Sequence, residues 1–489
     1  LSIDVNGASP WRGGQLGNPF VDFASSFPDG ADAGDDPDGL SVPTSGDPMI
    51  FDYDRSLIGF TVTDTLLNVG DFFQIEGNFA FEKTVTQVDV VTGLPASLTG
   101  SPLAASLASF KTGTDPLLSA NNSQFNDLPV DAITFGASNV IITVGDPDDP
   151  FFALEDIDIG FMLMKSTLAI DPSRVIPTMY AMQAYWPEPI QDIDWGFMKL
   201  DVDDLSFQMN QGSNWAGRTN GPFVDFVSSF GEDGYQVNTG GDPIALDFER
   251  SVIGVEVGHA MISIGDFFYI EGGFALEKGS GVTVDINTGF TDASLQAATI
   301  LAPLVTQGYV TPLQYSSIND LPMNYFTIGL SDVNFFAGSG PYFVDSNEDG
   351  VIDGEDERSE DAVGLVIENL DLGLSIYKAD ALKSLGVSSL WALKASADQV
   401  AFTGVDFLTL EANGITVEAN QGTAWSGAST VKPYIDFVSS FGEDGLEVST
   451  GGDPVMLDYT SSRVAVEVAQ ATFSIDSFLH IQGAFAFTK

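Results

Sequence analysis

Pro222-Phe223-Val224-Asp225-Phe226-Val227-Ser228-Ser229-Phe230 is one of three copies of the same text in this chain. It stands earlier as Pro19-Phe20-Val21-Asp22-Phe23-Ala24-Ser25-Ser26-Phe27 and later as Pro433-Tyr434-Ile435-Asp436-Phe437-Val438-Ser439-Ser440-Phe441. Each copy leads to Gly-Asp-Pro, beginning at Gly46, Gly241 and Gly452, and then to an apolar run carrying Asp52, Asp247 or Asp458. Each then reaches Gly-Asp-Phe-Phe-like text: Gly70 to Lys83, Gly265 to Lys278, and the weaker Asp476 to Lys489. Trp11, Trp215 and Trp425 mark the unit starts, 204 and 210 residues apart (215 − 11 and 425 − 215). Self-similarity at a fixed period is the signature of a repeat architecture.

The second half of the period repeats as well. Ile133 to Val140 answers Phe326 to Val333, and Asp156 to Gly160 answers Asn369 to Gly373. Leu205 to Gly212 answers Ile415 to Gly422, and Leu1 to Gly7 matches the same place. The expected organisation is a first unit over 1–211, a second over 212–421 and the first part of a third over 422–489. The chain opens at a unit join, without Met or a signal peptide, and reads as a piece of something longer. Its incomplete units at both ends can complement one another between molecules, or simply mark where the sequence is cut.

Within a unit the text is β almost throughout. Val252 to Ile264 is rich in β-branched residues and alternates in part, and Phe267 to Leu276 continues it with glycines suited to bulges. Gly-Asp and Asp-Gly pairs punctuate at hairpin intervals. Helical text is confined to Leu103–Phe110, Ser294–Thr306 and Ala379–Leu385. The join from Met209 to Trp215 is too short for a flexible tether. The predicted fold is an all-β, mostly antiparallel tandem repeat with few short helices, its units stacked or placed end to end in an elongated rod.

Of 489 residues, 44% are hydrophobic, with 37 Phe, which favours packed cores over disorder. The formal charge of −52 excludes nucleic acid and anionic membrane surfaces as partners, since phosphate binding needs a basic face. Such self-repulsion calls for screening salt or bound divalent cations, both pointing to seawater-like or extracellular conditions. With no cysteine there is no disulfide, thiolate metal site or cysteine nucleophile. No apolar run is long enough for a membrane-spanning helix, so membrane insertion is not expected.

One stretch carries ligand chemistry. Asp345 to Asp356 reads D-S-N-E-D-G-V-I-D-G-E-D, with side-chain oxygens at Asp345, Asn347, Asp349, Asp353 and Asp356. Gly350 falls where the chain must turn, Ile352 is apolar, and Val351 offers its backbone carbonyl. These are the positions of a twelve-residue Ca2+ loop, and four carboxylates this close repel unless a hard divalent ion intervenes. The loop resembles those of EF-hand and dockerin proteins, with two departures: Gly338-Ser339-Gly340-Pro341 precludes an ordinary entering helix, and the last ligand is Asp, not Glu. At the equivalent place the first unit has only Gly145-Asp146-Pro147-Asp148-Asp149-Pro150, which reads as a turn.

Catalysis finds little to stand on. His259 and His480 lie in or beside the same repeated hairpin text at non-matching positions, and no zinc spacing or phosphate loop occurs. A glycoside hydrolase needs only two carboxylates. However, Asp22, Asp225 and Asp436, like Asp52, Asp247 and Asp458, recur in every unit, which points to a structural role: a turn bond, a cap or a calcium ligand. The acidic run Asp29 to Asp38 reads as a solvated insertion, and Trp186, Trp195 and Trp391 are the candidates for a carbohydrate- or host-surface-binding face.

The acidic, cysteine-free, Gly/Asp/Asn-punctuated β units with an embedded D-x-N-x-D-G-x-I-D-x-x-D loop resemble the repeat regions of very large secreted bacterial surface proteins and adhesins. The G-G-x-G-x-D nonapeptides of RTX proteins are missing. The resemblance implies an extracellular, calcium-stiffened structural or adhesive rod at a bacterial cell surface, not an enzyme. Its partners would be neighbouring repeats or other copies of itself in an end-to-end filament, with a glycan as the alternative.

Overall fold

Strands here are long because β-branched and aromatic residues run on over most of their length, with single prolines at Pro129, Pro150 and Pro322. In this computed structural model the described residues are all except 8–18, 28–38, 70–72, 95–101, 113–115, 147–148, 169–175, 195–197, 216–220, 266, 345, 347–356 and 360. Trp11, Trp195 and the Asp29 to Asp38 run therefore lie outside the described residues. The chain folds into two units, Leu1–Ala184 with Met209–Glu249, and Tyr185–Gln208 with Arg250–Lys489. Both are mostly antiparallel β, and among the described residues the helices are short.

In the first unit, β1 (Ser2–Asn6), β2 (Leu57–Val69), β3 (Phe73–Val91), β4 (Gln124–Asp146) and β5 (Asp149–Ser166) pair antiparallel in that order. Phe60, Phe81, Phe135 and Phe161 form one row across four of them. Val88, Val90, Phe125, Leu128, Met162 and Met164 are buried in this unit, as are Trp215, Phe223, Phe226 and Leu246. The Trp215 indole donates to the Thr92 carbonyl at 2.8 Å, which satisfies the ring nitrogen inside the apolar layer.

In the second unit, β6 (Val252–Ile264), β7 (Phe268–Asn287) and β8 (Ser317–Ser339) are followed by a small ribbon of β9 (Phe343–Val344) and β10 (Glu357–Arg358). The sheet resumes with β11 (Val363–Lys378), β12 (Leu390–Thr403), β13 (Leu408–Gly422), β14 (Arg463–Ile475) and β15 (Leu479–Thr488). Register carries Leu276, Ile328, Leu374, Leu393, Ala419 and Val464 across neighbouring strands in a single row. One core cluster joins Ile286, Leu321, Tyr377 and Leu390 of the sheet to Leu301 and Leu304 of the helices and to Trp425 and Phe437. The Trp425 indole donates to the Thr288 carbonyl, again at 2.8 Å.

Strands of this length twist strongly, and bulges bend them. Asp64, Asn139, Asp156, Asp332 and Asn369 each take a positive φ, between 48° and 54°. Asn and Asp tolerate this left-handed conformation better than other non-glycine residues. A bulge also frees a backbone N–H, and the adjacent strand answers it with a side-chain oxygen. Asp64 N–H donates to Asn78 Oδ1 (3.0 Å), Asn139 N–H to Asp158 Oδ1 (2.9 Å) and Asp332 N–H to Asp371 Oδ1 (3.1 Å). Part of the acidic complement is thus spent on backbone donors.

The expected helices occur as Pro102–Leu107 with a 3-10 turn at Ala108–Lys111, Leu295–Ile300 with Ala302–Gln307, and Asp380–Lys383. Three further one-turn helices, Phe23–Ser26, Phe226–Phe230 and Phe437–Phe441, sit inside the repeated text.

Candidate metal centre

The twelve-residue loop hangs from the β9–β10 ribbon. Asp345, Asn347, Asp349, Val351, Asp353 and Asp356 lie outside the described residues, and the structure describes what holds the loop's ends. Phe343 pairs with Arg358 and Val344 with Glu357, while Glu357 N–H donates to Ser346 Oγ at 2.9 Å. The flanks are therefore strands, as the Gly340-Pro341 text requires.

The ribbon is pinned to the sheet by aromatics. The buried Tyr342 ring stacks on Phe336 with centroids 4.9 Å apart, and Phe343 meets Tyr269 edge-on at 5.1 Å. Met261, Ala362 and Val366 complete the cluster. Arg358 Nη1 lies 2.6 Å from Glu368 Oε1, to which the Tyr342 hydroxyl also donates at 3.4 Å. Burial pushes the Tyr342 hydroxyl up to about 12, so it remains a donor at neutral pH. Tyr342, Arg358, Glu368, Gln399 and Glu411 border an open cleft of about 280 Å³.

The first unit supplies the contrast. There β4 ends at Asp146, paired with Asp149 at the start of β5, so the strands join directly with no room for a twelve-residue loop.

The recurring aspartates divide by role. Asp22, Asp225 and Asp436 each cap a one-turn helix by accepting the backbone N–H of Ser25, Ser228 or Ser439 at 2.7, 2.8 and 3.0 Å. For Asp22 these bonds from Ser25 hold the carboxyl below its usual range. Asp458 stands 3.8 Å from Lys394 Nζ. Sequence reasoning missed Asp89 and Asp285, which accept from the amides of Asp127 (2.9 Å) and Asp320 (2.8 Å). The matched Asn126-Asp127-Leu128-Pro129 and Asn319-Asp320-Leu321-Pro322 text was the available signal, since both aspartates take a positive φ of 49°.

His259 Nε2 lies 3.1 Å from Glu271 Oε1, with Asp203 at 3.9 Å from Nδ1; the Glu271 bond raises the imidazole above its ordinary value. His480 is exposed on β15 opposite Ser474. Trp186 and Trp391 are half-buried strand residues. Among the described residues no three His, Asp or Glu side chains are grouped to hold a metal ion, and no helix is long and apolar enough to cross a membrane. No protein-family model, curated protein or solved structure matches the chain.

Proposed function

We propose that this chain is a non-enzymatic, calcium-stiffened β-repeat segment of an extracellular bacterial surface filament or giant adhesin. The observation that carries the reading is the ribbon clamp: a stretch with six ligand positions has its ends joined by paired strands. Those strands are fixed by Tyr342, Phe343 and the Arg358–Glu368 pair. Clamped ends lower the entropy cost of gathering the ligands, and a bound cation offsets their mutual repulsion. The matching indole anchors of Trp215 and Trp425 support repeats built on one plan, which we read as the tandem units of such a segment.

Thermal unfolding with and without chelator tests this. If calcium is about 100-fold above its dissociation constant, its removal costs about 2.7 kcal/mol. The double variant Asp345→Ala with Asp349→Ala loses part of that sensitivity. A melting curve indifferent to chelator ends the calcium reading.

A binding module for glycan or host surface is favoured by a different observation. The Phe60–Phe81–Phe135–Phe161 row leaves Phe60 and Phe135 exposed, a stacking platform for sugar rings. Silence across a glycan array counts against it.

A further inference from the structure

One face of the second unit's sheet is covered and the other is bare. Along β7, Tyr269, Ala275 and Glu277 are buried, while Phe268, Ile270, Phe274 and Leu276 alternate with them and stand half-buried or exposed. The buried set looks onto the core. Tyr269 belongs to the cluster of Phe336, Tyr342 and Val366, and on the neighbouring strands Tyr325, Tyr377 and Leu390 belong to the cluster that the helices close. A Cβ on Gly329 would come within 1.8 Å of the Ser449 carbonyl oxygen, and one on Gly373 within 2.7 Å of Val455, so chain lies directly on this side.

The other side is apolar row after row. Leu276, Ile328, Leu374, Leu393 and Ala419 stand in one register, and Phe274, Leu330, Leu372, Ala395 and Val417 in the next. Past the bulges come Ile270, Phe335, Ile367, Val400 and Ala412, and then Phe268, Ala337, Leu365, Phe402 and Leu410. None of these side chains is ionisable; the first charge is Lys278, in the rim row with Phe326. The first unit shows the same arrangement by itself, with Phe81, Phe135 and Phe161 at the places of Leu276, Ile328 and Leu374.

Leu276, Phe326, Leu365, Phe402 and Leu410 are 36–51% exposed. At roughly 200 Å² for a large side chain, these five offer about 400 Å² between them. Their half-buried neighbours take the face past the ~800 Å² per partner that a stable association buries, and past the few hundred Å² that a monomer ordinarily exposes.

From this we infer that the bare face is an interaction surface whose partner is the same face of a second copy of the chain. Large and small positions adjoin on it, Ala395 between Leu372 and Val417 and Ala419 beside Leu393, so two sheets related by a two-fold axis interdigitate about 10 Å apart. Charge decides against a bilayer. A chain of net charge −52 is repelled by anionic headgroups, whereas two copies meeting here bring no like charges together within the four rows. The inference goes beyond the calcium reading, and every strand named in it lies between residues 252 and 422.

Sedimentation equilibrium of the full chain in calcium-containing buffer tests it. Reversible self-association is expected, and Leu276→Asp and Leu365→Asp each weaken it about tenfold or more. Both positions are exposed, so both variants keep the wild-type circular dichroism. Leu295→Asp, on a helix of the covered side and 86% exposed, makes the same chemical change off the face and leaves association intact. A chain that stays monomeric at every concentration overturns the proposal. So does association that Leu276→Asp leaves undiminished, as end-to-end contacts would give, or that Leu295→Asp weakens equally. Monomers that float with phosphatidylcholine vesicles assign the face to lipid and overturn it as well. The chelator experiment reads separately: chelator-sensitive melting of a monomer sinks only the pairing, and calcium-indifferent melting beside Leu276-dependent association sinks only the calcium reading.

Discussion

Two copies of one text within the first unit live in different surroundings. Phe20 and Val21 are 45% and 47% exposed, whereas Phe223 and Val224 are 3% and 0% exposed. The local bonds are nevertheless the same. Asn6 Nδ2 donates to the Val21 carbonyl at 2.8 Å and Asn210 Nδ2 to the Val224 carbonyl at 2.7 Å. Phe23 N–H donates to Tyr53, as Phe226 N–H does to Phe248, both at 2.8 Å. What differs is the cover. Phe223 and Val224 pair with Val91 and Val90 of β3, and Ser229 Oγ accepts the Asp89 amide. The text therefore specifies its own turn, and a neighbouring sheet supplies the burial.

The largest expected effect breaks or confirms that division. Phe223→Ala removes a ring from a filled core and costs about 3–5 kcal/mol, while Phe20→Ala at the surface stays within about 0.5 kcal/mol. Urea unfolding of the two variants measures both. Equal costs would mean that the two copies are not lid and bare lid.

The cap is next in size and should not respect the division. Asp225→Ala and Asp436→Ala each cost about 1 kcal/mol, since each leaves a first-turn N–H without its acceptor. Asp22 makes the same bond, and its lowered carboxyl value sets a pH signature. Its contribution is present above the ordinary value of 3.8 and fades as pH falls through the lowered one. Acid titration of Asp22 by NMR, with Asp22→Asn as control, reads this directly; a midpoint at the ordinary value removes the cap.

Strand text was legible because β-branched and aromatic runs leave few alternatives, and Val252–Ile264 reads as a strand with the boundaries the structure gives. Helical text was legible over Ser294–Thr306, where the structure has Leu295–Ile300, capped by Ser294, and Ala302–Gln307. The one-turn helices at Phe23, Phe226 and Phe437 were not, because a single pair of phenylalanines at i and i+4 is too short a run to show a helical period, and the preceding aspartate closes the turn. The Asx bulges were hidden for another reason. An aspartate in a strand looks like a solvent-facing residue, and its left-handed backbone shows only once the neighbouring strand's register is known. At the candidate metal centre, the acidic spacing from Asp345 to Asp356 stands in the sequence, but the ribbon that flanks it could not be read there. Phe343-Val344 and Glu357-Arg358 are too short to carry a period.

The smallest expected effect belongs to His259, and it sharpens a second contrast between matched positions. Aligned on Val62 and Val257, the first unit has Asp64 where the second has His259. Glu271 accepts from the imidazole at 3.1 Å, with Asp203 and Asp201 adding negative charge, so the folded value lies above the ordinary 6.5. A raised value means that protonated His259 favours the folded state. That stabilisation is complete below 6.5 and is lost as pH rises through the folded value. The side chain is 37% exposed, so solvent screens the pair and the effect stays small. Wild type should therefore melt slightly above His259→Gln near about pH 6, and the gap should close by about pH 9. An Asp64→Asn variant, lacking the imidazole, should show no such window. A gap that widens with pH would mean that His259 folds as the neutral ring, and that Glu271 serves the Tyr269 hydroxyl instead.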